Sequence, residues 1–261
     1  MRIPFAFVLC LSSFVLGCAS SGPRILGHRG TRGEYQENCA EAMSLALGRG
    51  ITGFETDIRM TKDGHLVIMH DADVARVSDG KGIVEELTLA ELKKFRLNNS
   101  SDAIPTMEEM LAPLKGRKDV FIELEMKSSD LTKPARLDDY LEKAYATAKR
   151  MLEPGTYAFT SFDADYLRRM HELHPDARTG LINGTLSEGM IAKAKSLGCS
   201  QIAPLLNGSA KALVDRAHAE GLEVTLWMVQ NLKAYELSKS LGADTNTSDF
   251  PMKLLTDVKA K

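Results

Sequence analysis

The sequence lacks several features that mark particular classes of protein. Its 33 Lys and Arg nearly balance its 35 Asp and Glu, and without a polybasic segment nucleic acid is not an expected partner. Four cysteines in 261 residues are too few for a disulfide framework. Neither a Gly-x4-Gly-Lys-Ser/Thr loop nor a strand-associated Gly-x-Gly-x-x-Gly occurs, which argues against a nucleotide cofactor. The absence of Gly-x-Ser-x-Gly removes the usual marker of a serine hydrolase.

The first twenty residues, MRIPFAFVLCLSSFVLGCAS, have a composition of their own. One arginine precedes an uncharged apolar stretch of signal-peptide length, too short and too rich in small residues near its end to favour a spanning helix. Residues 15–18 resemble the lipobox of bacterial lipoproteins, in which cleavage precedes an acylated cysteine.

We therefore expect a lipoprotein signal peptide over residues 1–17 and a lipidated tether over residues 18–23, with the lipid on Cys18. The protein would be exported and anchored on the periplasmic or cell-surface side of a membrane without spanning it. The alternative is an ordinary secretory signal cut nearby, which also exports the chain. Of the other cysteines, Cys10 would be removed, while Cys39 and Cys199 lie beside apolar helical patterns, which favours two core residues over one bridge.

After Pro23 the chain alternates short β-like runs with helical stretches. Asp63-Gly64 is a tight-turn signal that predicts a hairpin after the second run. With the hairpin counted as part of that strand, eight β-runs remain in about 240 residues, which suits a single-domain (β/α)8 TIM barrel over residues 24–261. A doubly wound open sheet is the alternative, because strand order is invisible in sequence. We predict helices near 134–152, 163–174, 186–197, 208–220 and 231–240, and a short irregular insertion over 71–104.

Acidic residues recur at alternate positions in two of these runs. Glu55 and Asp57 share one face of the second strand, as do Glu123, Glu125 and Lys127 on the third. A half-exposed strand with an acidic solvent face has the same pattern. In a barrel, however, this face points inward, where carboxylates are costly unless they are paired or bind a cation. Such oxygen ligands suit Mg²⁺ or Ca²⁺ better than Zn²⁺.

Two histidines end strands where barrel chemistry gathers. His28 follows the first strand, between Gly27 and Gly30, and His70 follows the hairpin return, beside Asp71. Such a pair can share proton transfer at a bound oxyanion, one as base and one as acid, although a lone strand-end histidine is more often structural. Arg29 and Lys127 supply the positive charge that a phosphate needs.

The remaining histidines and the single tryptophan carry weaker predictions. His65, His171, His174 and His218 fall in a turn or on helices, and we assign them to the surface. Trp227 lies on a late strand, where it either packs the barrel interior or forms a flat apolar wall at the mouth.

A set of motifs resembles the glycerophosphodiester phosphodiesterase family, in its bacterial lipoprotein form. The segments GHRG, QENC, FETDIRMTKDGHLVIMHD, ELEMK, TSF, LWMVQN and TSDFP follow in order over residues 25–252. The resemblance implies a (β/α)8 barrel that uses a divalent cation to hydrolyse glycerophosphodiesters to glycerol 3-phosphate and an alcohol. It implies that His28 and His70 are the catalytic pair and that Glu55, Asp57 and Glu125 bind the metal. Arg29 and Lys127 would contact phosphate, Trp227 would form a wall for glycerol, and Glu37 and Asn38 would support these groups.

Four departures from the family pattern concern substrate preference more than activity. QENC replaces the usual Pro-Glu-Asn-Thr, and Gln230 and Ser248 stand where Asn and Thr are usual. An acid at position 123 is also atypical, and Glu123 could be a supporting group or an extra ligand.

Two other functions stay open on the sequence. One is a lysophospholipase D-like or sphingomyelinase D-like enzyme acting on intact lipids, and the other is a non-catalytic binding lipoprotein. The intact set of histidines and acids argues against the second.

Overall fold

The computed structural model describes residues 22–128 and 134–261. The predicted signal peptide, Cys18 and the tether as far as Ser21 lie outside the described residues, so these features stay predictions. Within the described part of the chain, no helix is both long enough and apolar enough to cross a membrane.

In the part of the chain that the structure describes, nine strands form one sheet, and eight of them close into a barrel. The strands are β1 Arg24–Gly27, β2 Gly53–Met60, β3 Leu66–Ile68, β4 Phe121–Met126, β5 Tyr157–Ser161, β6 Thr179–Asn183, β7 Gln201–Pro204, β8 Glu223–Trp227 and β9 Thr245–Ser248. Neighbours run parallel in the order β1-β9-β8-β7-β6-β5-β4-β2, and a β1–β2 pairing closes the ring. Only β3 is antiparallel, as the return strand of the predicted hairpin. Closure confirms the (β/α)8 barrel and excludes the open doubly wound sheet.

Helices surround the barrel and lie close to their predicted positions. They are α1 Ala40–Gly48, α2 Leu89–Leu92, α3 Met107–Leu111, α4 Pro134–Met151, α5 Ala164–Leu173, α6 Glu188–Ser196, α7 Lys211–Ala219, α8 Leu232–Leu241 and α9 Pro251–Lys259. Capping residues set several starts: the side chains of Asp163, Ser187 and Asn231 accept hydrogen bonds from backbone N–H groups in the first turns of α5, α6 and α8. The short α2 and α3, and α9, which begins at a proline, are not among the predicted helices.

The core lies between the barrel and its helices. Phe54, Ile58, Ile122 and Leu124 point outward into it and are fully buried, which leaves the alternate positions of β2 and β4 for the barrel interior. Cys39 and Cys199 are both free and buried, as the sequence predicts.

The insertion over residues 71–104 contains a small core of its own. Val74, Val77, Val84, Leu92 and Leu97 pack against residues that include Val67 and Met69 of the hairpin return. The capping box of Thr88 and Glu91 starts α2 within it. This packing fixes the insertion beside the carboxyl end of the barrel, next to the loop that follows β1.

Candidate active site

The backbone turns sharply immediately after β1, which explains the glycines around His28 and Arg29. A Cβ atom on Gly27 would lie 1.8 Å from the carbonyl oxygen of Gly30, so no side chain is tolerated there. Gly30 has a φ of 81° and Arg29 a φ of 48°, both in the left-handed region that side chains disfavour. The turn directs His28 and Arg29 toward the carboxyl end of the barrel.

Three carboxylates from neighbouring strands meet inside this end. Asp57 of β2 is in register with Glu125 of β4, and Glu55 lies one alternate position earlier on β2. Oxygens of the three groups lie within 4.8 Å of one another. Among the described residues, Glu55 Oε1 and Asp57 Oδ1 are buried without a hydrogen-bond partner.

The electrostatics of this cluster are unfavourable without a cation. Burial, together with repulsion from Asp57 and Glu125, raises the pKa of Glu55 well above its ordinary value. Burial and Asp57 likewise raise the pKa of Glu125 to about 7, against the lowering effect of Lys127. Three converging carboxylates, two of them with a buried oxygen that is unpartnered in the described part of the chain, suit Mg²⁺ or Ca²⁺, and a divalent cation would remove the repulsion.

Neighbouring groups orient these carboxylates. The backbone N–H of Arg29 donates to Glu55 at 2.8 Å, and Lys127 Nζ lies 2.9 Å from Glu125 Oε1. Asn38 donates to Asp57 at 2.9 Å and accepts from Thr56 at 2.8 Å. Asn38, at a φ of 52°, thus acts as a structural link between the β1 loop and β2.

The two histidines are each held by an aspartate at Nδ1. His28 Nδ1 lies 2.6 Å from Asp249 Oδ1, and Gln230 donates to the other oxygen of Asp249 at 2.7 Å. His70 Nδ1 lies 2.6 Å from Asp71 Oδ1. Because a carboxylate accepts, Nδ1 carries the proton, and Nε2 of each ring is left for other partners. His28 Nε2 is 3.8 Å from Glu55 Oε2.

An arginine of the insertion joins the supporting carboxylates. Arg76 donates to Asp71 and to both oxygens of Glu37, at 2.9 and 2.7 Å, while Glu37 accepts from Arg29 Nη1 at 3.1 Å. Although partial burial opposes the shift, the hydrogen bonds from Arg76 and His70 lower the pKa of Asp71 to about 2. Burial lowers the pKa of His70, and this effect outweighs the nearby carboxylates.

The candidate active site opens into one cavity of about 240 Å³, which Glu55 and Glu125 help to line. His28, Arg29, His70 and Lys127 border its polar side. Within the described residues, the buried Arg29 Nε has no hydrogen-bond partner.

Two aromatic rings form an apolar part of the cavity wall. Trp227 is half-buried and lines the cavity, so its ring walls the mouth rather than filling the barrel interior. Its Nε1 donates to the carbonyl of Ala203 at 2.8 Å. Phe162, with 51% of its surface exposed, stands edge-on to Trp227, the ring centroids being 6.0 Å apart.

Glu123 lies on the same inward face as Glu125 but has separate partners. Gln201 and Thr225 donate to its Oε1 at 2.8 and 2.9 Å. Burial raises the pKa of Glu123 to about 6, although both hydrogen bonds oppose the shift. Glu123 is absent from the cluster of three carboxylates, which favours a supporting position over an extra ligand.

Sequence reasoning missed several residues of the site. Asp249 belongs to the TSDFP segment just past β9, and its place after a barrel strand was a usable signal. Phe162 follows β5 in the same way. No sequence signal pointed to Arg32 and Arg76, because they lie outside the barrel strands, in the loop after β1 and in the insertion.

The other histidines are less uniform than predicted. His65 and His218 are exposed, and His171 is half-buried. The surface assignment is wrong for His174, which stacks on Tyr145 at a centroid distance of 3.7 Å with 14% of its side chain exposed.

Comparison with known proteins identifies the family. The sequence model of the glycerophosphoryl diester phosphodiesterase family matches residues 28–253. The chain belongs to this family. The expectation drawn from the motifs is therefore confirmed at the level of the family.

Individual relatives agree with this membership. The chain is 28% identical over 244 residues to a glycerophosphodiester phosphodiesterase of Caldanaerobacter subterraneus subsp. tengcongensis, covering 90% of this chain and 97% of that protein. A solved glycerophosphodiester phosphodiesterase from Parabacteroides distasonis has a TM-score of 0.78 and 26% identity, with 92% and 99% of the two chains covered. An Oleispira antarctica phosphodiesterase, solved with the product sn-glycerol-3-phosphate, has a TM-score of 0.82 at 23% identity, with 92% and 98% covered, and supports the fold.

Proposed function

We propose that the protein is a glycerophosphodiester phosphodiesterase that hydrolyses its substrate to glycerol 3-phosphate and an alcohol with a divalent cation and two histidines. One observation carries this proposal. In a single cavity, His28 and His70, each supported by an aspartate, stand beside a buried cluster of three carboxylates. Family membership supports the choice of substrate.

The proposed metal ligands are Glu55, Asp57 and Glu125, because their buried oxygens converge and two of these oxygens have no hydrogen-bond partner among the described residues. A bound Mg²⁺ or Ca²⁺ would neutralise the carboxylates and withdraw charge from the phosphoryl oxygens. Asn38 and Lys127 keep Asp57 and Glu125 oriented toward the cluster.

Arg29 and Lys127 are the proposed phosphate contacts. Arg29 Nε is buried without a hydrogen-bond partner among the described residues, 3.8 Å from Asp57 Oδ2, while Lys127 borders the same cavity. Both would donate to phosphate oxygens whose charge grows in the transition state. Glu37 holds Arg29 in this orientation.

His28 and His70 are the proposed general base and general acid, and either assignment of the two roles satisfies the geometry. The base takes a proton from water or from the neighbouring glycerol hydroxyl, whose oxygen forms a bond to phosphorus. The bond from phosphorus to the alcohol oxygen breaks, and the acid gives that oxygen its proton. The hydroxyl route passes through a cyclic phosphate, which water then opens.

A form of the protein beginning at Ala19 provides the test, with glycerophosphocholine and glycerophosphoethanolamine as substrates. Release of glycerol 3-phosphate should stop with a chelator and return with added Mg²⁺ or Ca²⁺. His28→Ala and His70→Ala should each lower kcat by about 10²- to 10⁴-fold, whereas His65→Ala, at an exposed turn, should not. Near-normal turnover in either catalytic variant would disprove the acid/base assignment, and metal-independent release would disprove the cation.

We also propose that the protein is exported and anchored to a membrane through a lipid on Cys18, on the strength of residues 1–18 alone. Expression in bacteria with a radioactive fatty acid should label the protein. Cys18→Ser should lose the label, whereas Cys10→Ser should keep it before and after cleavage, because the lipid is on Cys18. An unlabelled but exported protein would instead indicate an ordinary secretory signal.

A further inference from the structure

A second cleft opens directly beside the candidate active site. It has a volume of about 180 Å³ and lies between the loop after β1 and the insertion. Its polar wall is formed by Arg32, Tyr35, Gln36, Arg76, Asn98 and Asn99. Arg32 and the floor residue Glu37 connect it to the catalytic groups, and Arg32 also lines the catalytic cavity.

Arg32 differs from the other cations of the site in having no hydrogen-bond acceptor among the described residues. Its nearest carboxylate oxygens are Glu37 Oε2, 3.6 Å from Nε, and Asp249 Oδ1, 3.9 Å from Nη1. Both distances are too long for hydrogen bonds. The side chain is 42% exposed, so its guanidinium faces the opening between the two cavities.

The two neighbouring carboxylates are already engaged by closer groups. Glu37 accepts from both terminal nitrogens of Arg76, at 2.9 and 2.7 Å. Asp249 is held by His28 at 2.6 Å and by Gln230 at 2.7 Å. The lining of the cleft contains two guanidinium groups and a single carboxylate. Arg76 is paired with Asp71 and Glu37, which leaves Arg32 as the guanidinium with hydrogen-bond donors to offer.

We propose that this cleft receives the alcohol portion of the diester and that Arg32 favours alcohols bearing an anionic group, such as the carboxylate of serine. The inference rests on the proposed function and names the substrate class. Trp227 and Phe162 form an apolar part of the wall of the catalytic cavity, and neither lines the cleft, so the cleft suits the more polar end of the substrate. A guanidinium binds a carboxylate through charge-assisted hydrogen bonds. It repels the ammonium that serine and ethanolamine share, so the carboxylate alone distinguishes the two alcohols.

Glycerophosphoserine and glycerophosphoethanolamine provide the matched test, because they differ only by that carboxylate. We expect wild type to have the higher kcat/KM on the serine diester. In Arg32→Gln the ratio of serine to ethanolamine kcat/KM should fall by about fivefold, as for a partly exposed ion pair. The change should lie mainly in KM for the serine diester, because the contact between Arg32 and the carboxylate contributes equally to binding in the ground state and in the transition state. Arg32→Glu should lower the ratio further.

Arg168→Gln is the control, because Arg168 is an exposed arginine of α5 paired with Asp165 and Glu172. It should leave the ratio unchanged. A ratio that is the same in Arg32→Gln as in wild type would overturn the proposal. An equal loss on both diesters would also overturn it, since Arg32 would then contact the phosphate. If folded wild type with metal hydrolyses neither diester, the proposed function fails, and this inference fails with it.

Discussion

Replacement of Glu123 by glutamine should stabilise the protein at neutral and alkaline pH. Glu123 is buried, and its two donors, Gln201 and Thr225, both bond to Oε1. Glutamine keeps a carbonyl oxygen for both donors and presents its amide to the cavity that Glu123 lines. It removes the cost of ionising a carboxyl group in the barrel interior.

The size of the effect follows from the pKa. Burial raises the pKa of Glu123 from 4.5 to about 6, so the folded state holds this proton more tightly than the unfolded state does. The contribution of the proton to stability is complete below about pH 4.5 and is lost as the pH rises through about 6. At about 1.36 kcal/mol per unit, the loss amounts to about 2 kcal/mol at pH 8.

Urea unfolding of wild type and Glu123→Gln with a chelator present measures this difference. The free energy of unfolding of the variant should exceed that of wild type by about 2 kcal/mol at pH 8, and the gap should nearly vanish by pH 4. Glu86→Gln is the control, since Glu86 is an exposed residue of the insertion. A gap that does not change with pH would refute the reasoning, because only ionisation of Glu123 predicts the dependence.

Three further predictions concern the site. Arg76→Ala should lower kcat by about tenfold or more with a smaller change in KM, because Arg76 orients two supporting carboxylates. Steady-state kinetics measure this change, with Arg168→Ala as the control, and an equal loss of activity in both variants would contradict the prediction. Asp249→Asn should lower kcat by about 10²-fold or more, since the amide no longer fixes the tautomer of His28, and unchanged kcat would remove Asp249 from the catalytic support. Asp57→Asn should abolish the rise in Tm that saturating Mg²⁺ or Ca²⁺ gives wild type, which is worth about 2.7 kcal/mol at 100 times the Kd; an undiminished rise in a thermal-shift assay would exclude Asp57 as a ligand.

The sequence by itself determined the alternation of strands and helices, which favours a barrel, and most of the candidate site residues. Alternation of β-runs with helices is a local pattern, and eight units are enough to close a ring. The period of two along a strand put Glu55 and Asp57 on one face, and the same rule aligned Glu125 with Lys127. Because barrel chemistry gathers at strand ends, His28 and His70 could be chosen before any contact was known.

Only the tertiary structure decided which strands are neighbours and which loops meet. Pairing of β1 with both β2 and β9 closes the barrel, a long-range choice that local patterns do not contain. The same closure brings Asp249 to His28 across 221 residues. Packing of the insertion on its own small core carries Arg76 to Glu37. Only the distances from Arg32 to Glu37 and Asp249 show that its guanidinium lacks a hydrogen-bond acceptor among the described residues. The partners of a side chain depend on the fold and cannot be deduced from the sequence around it.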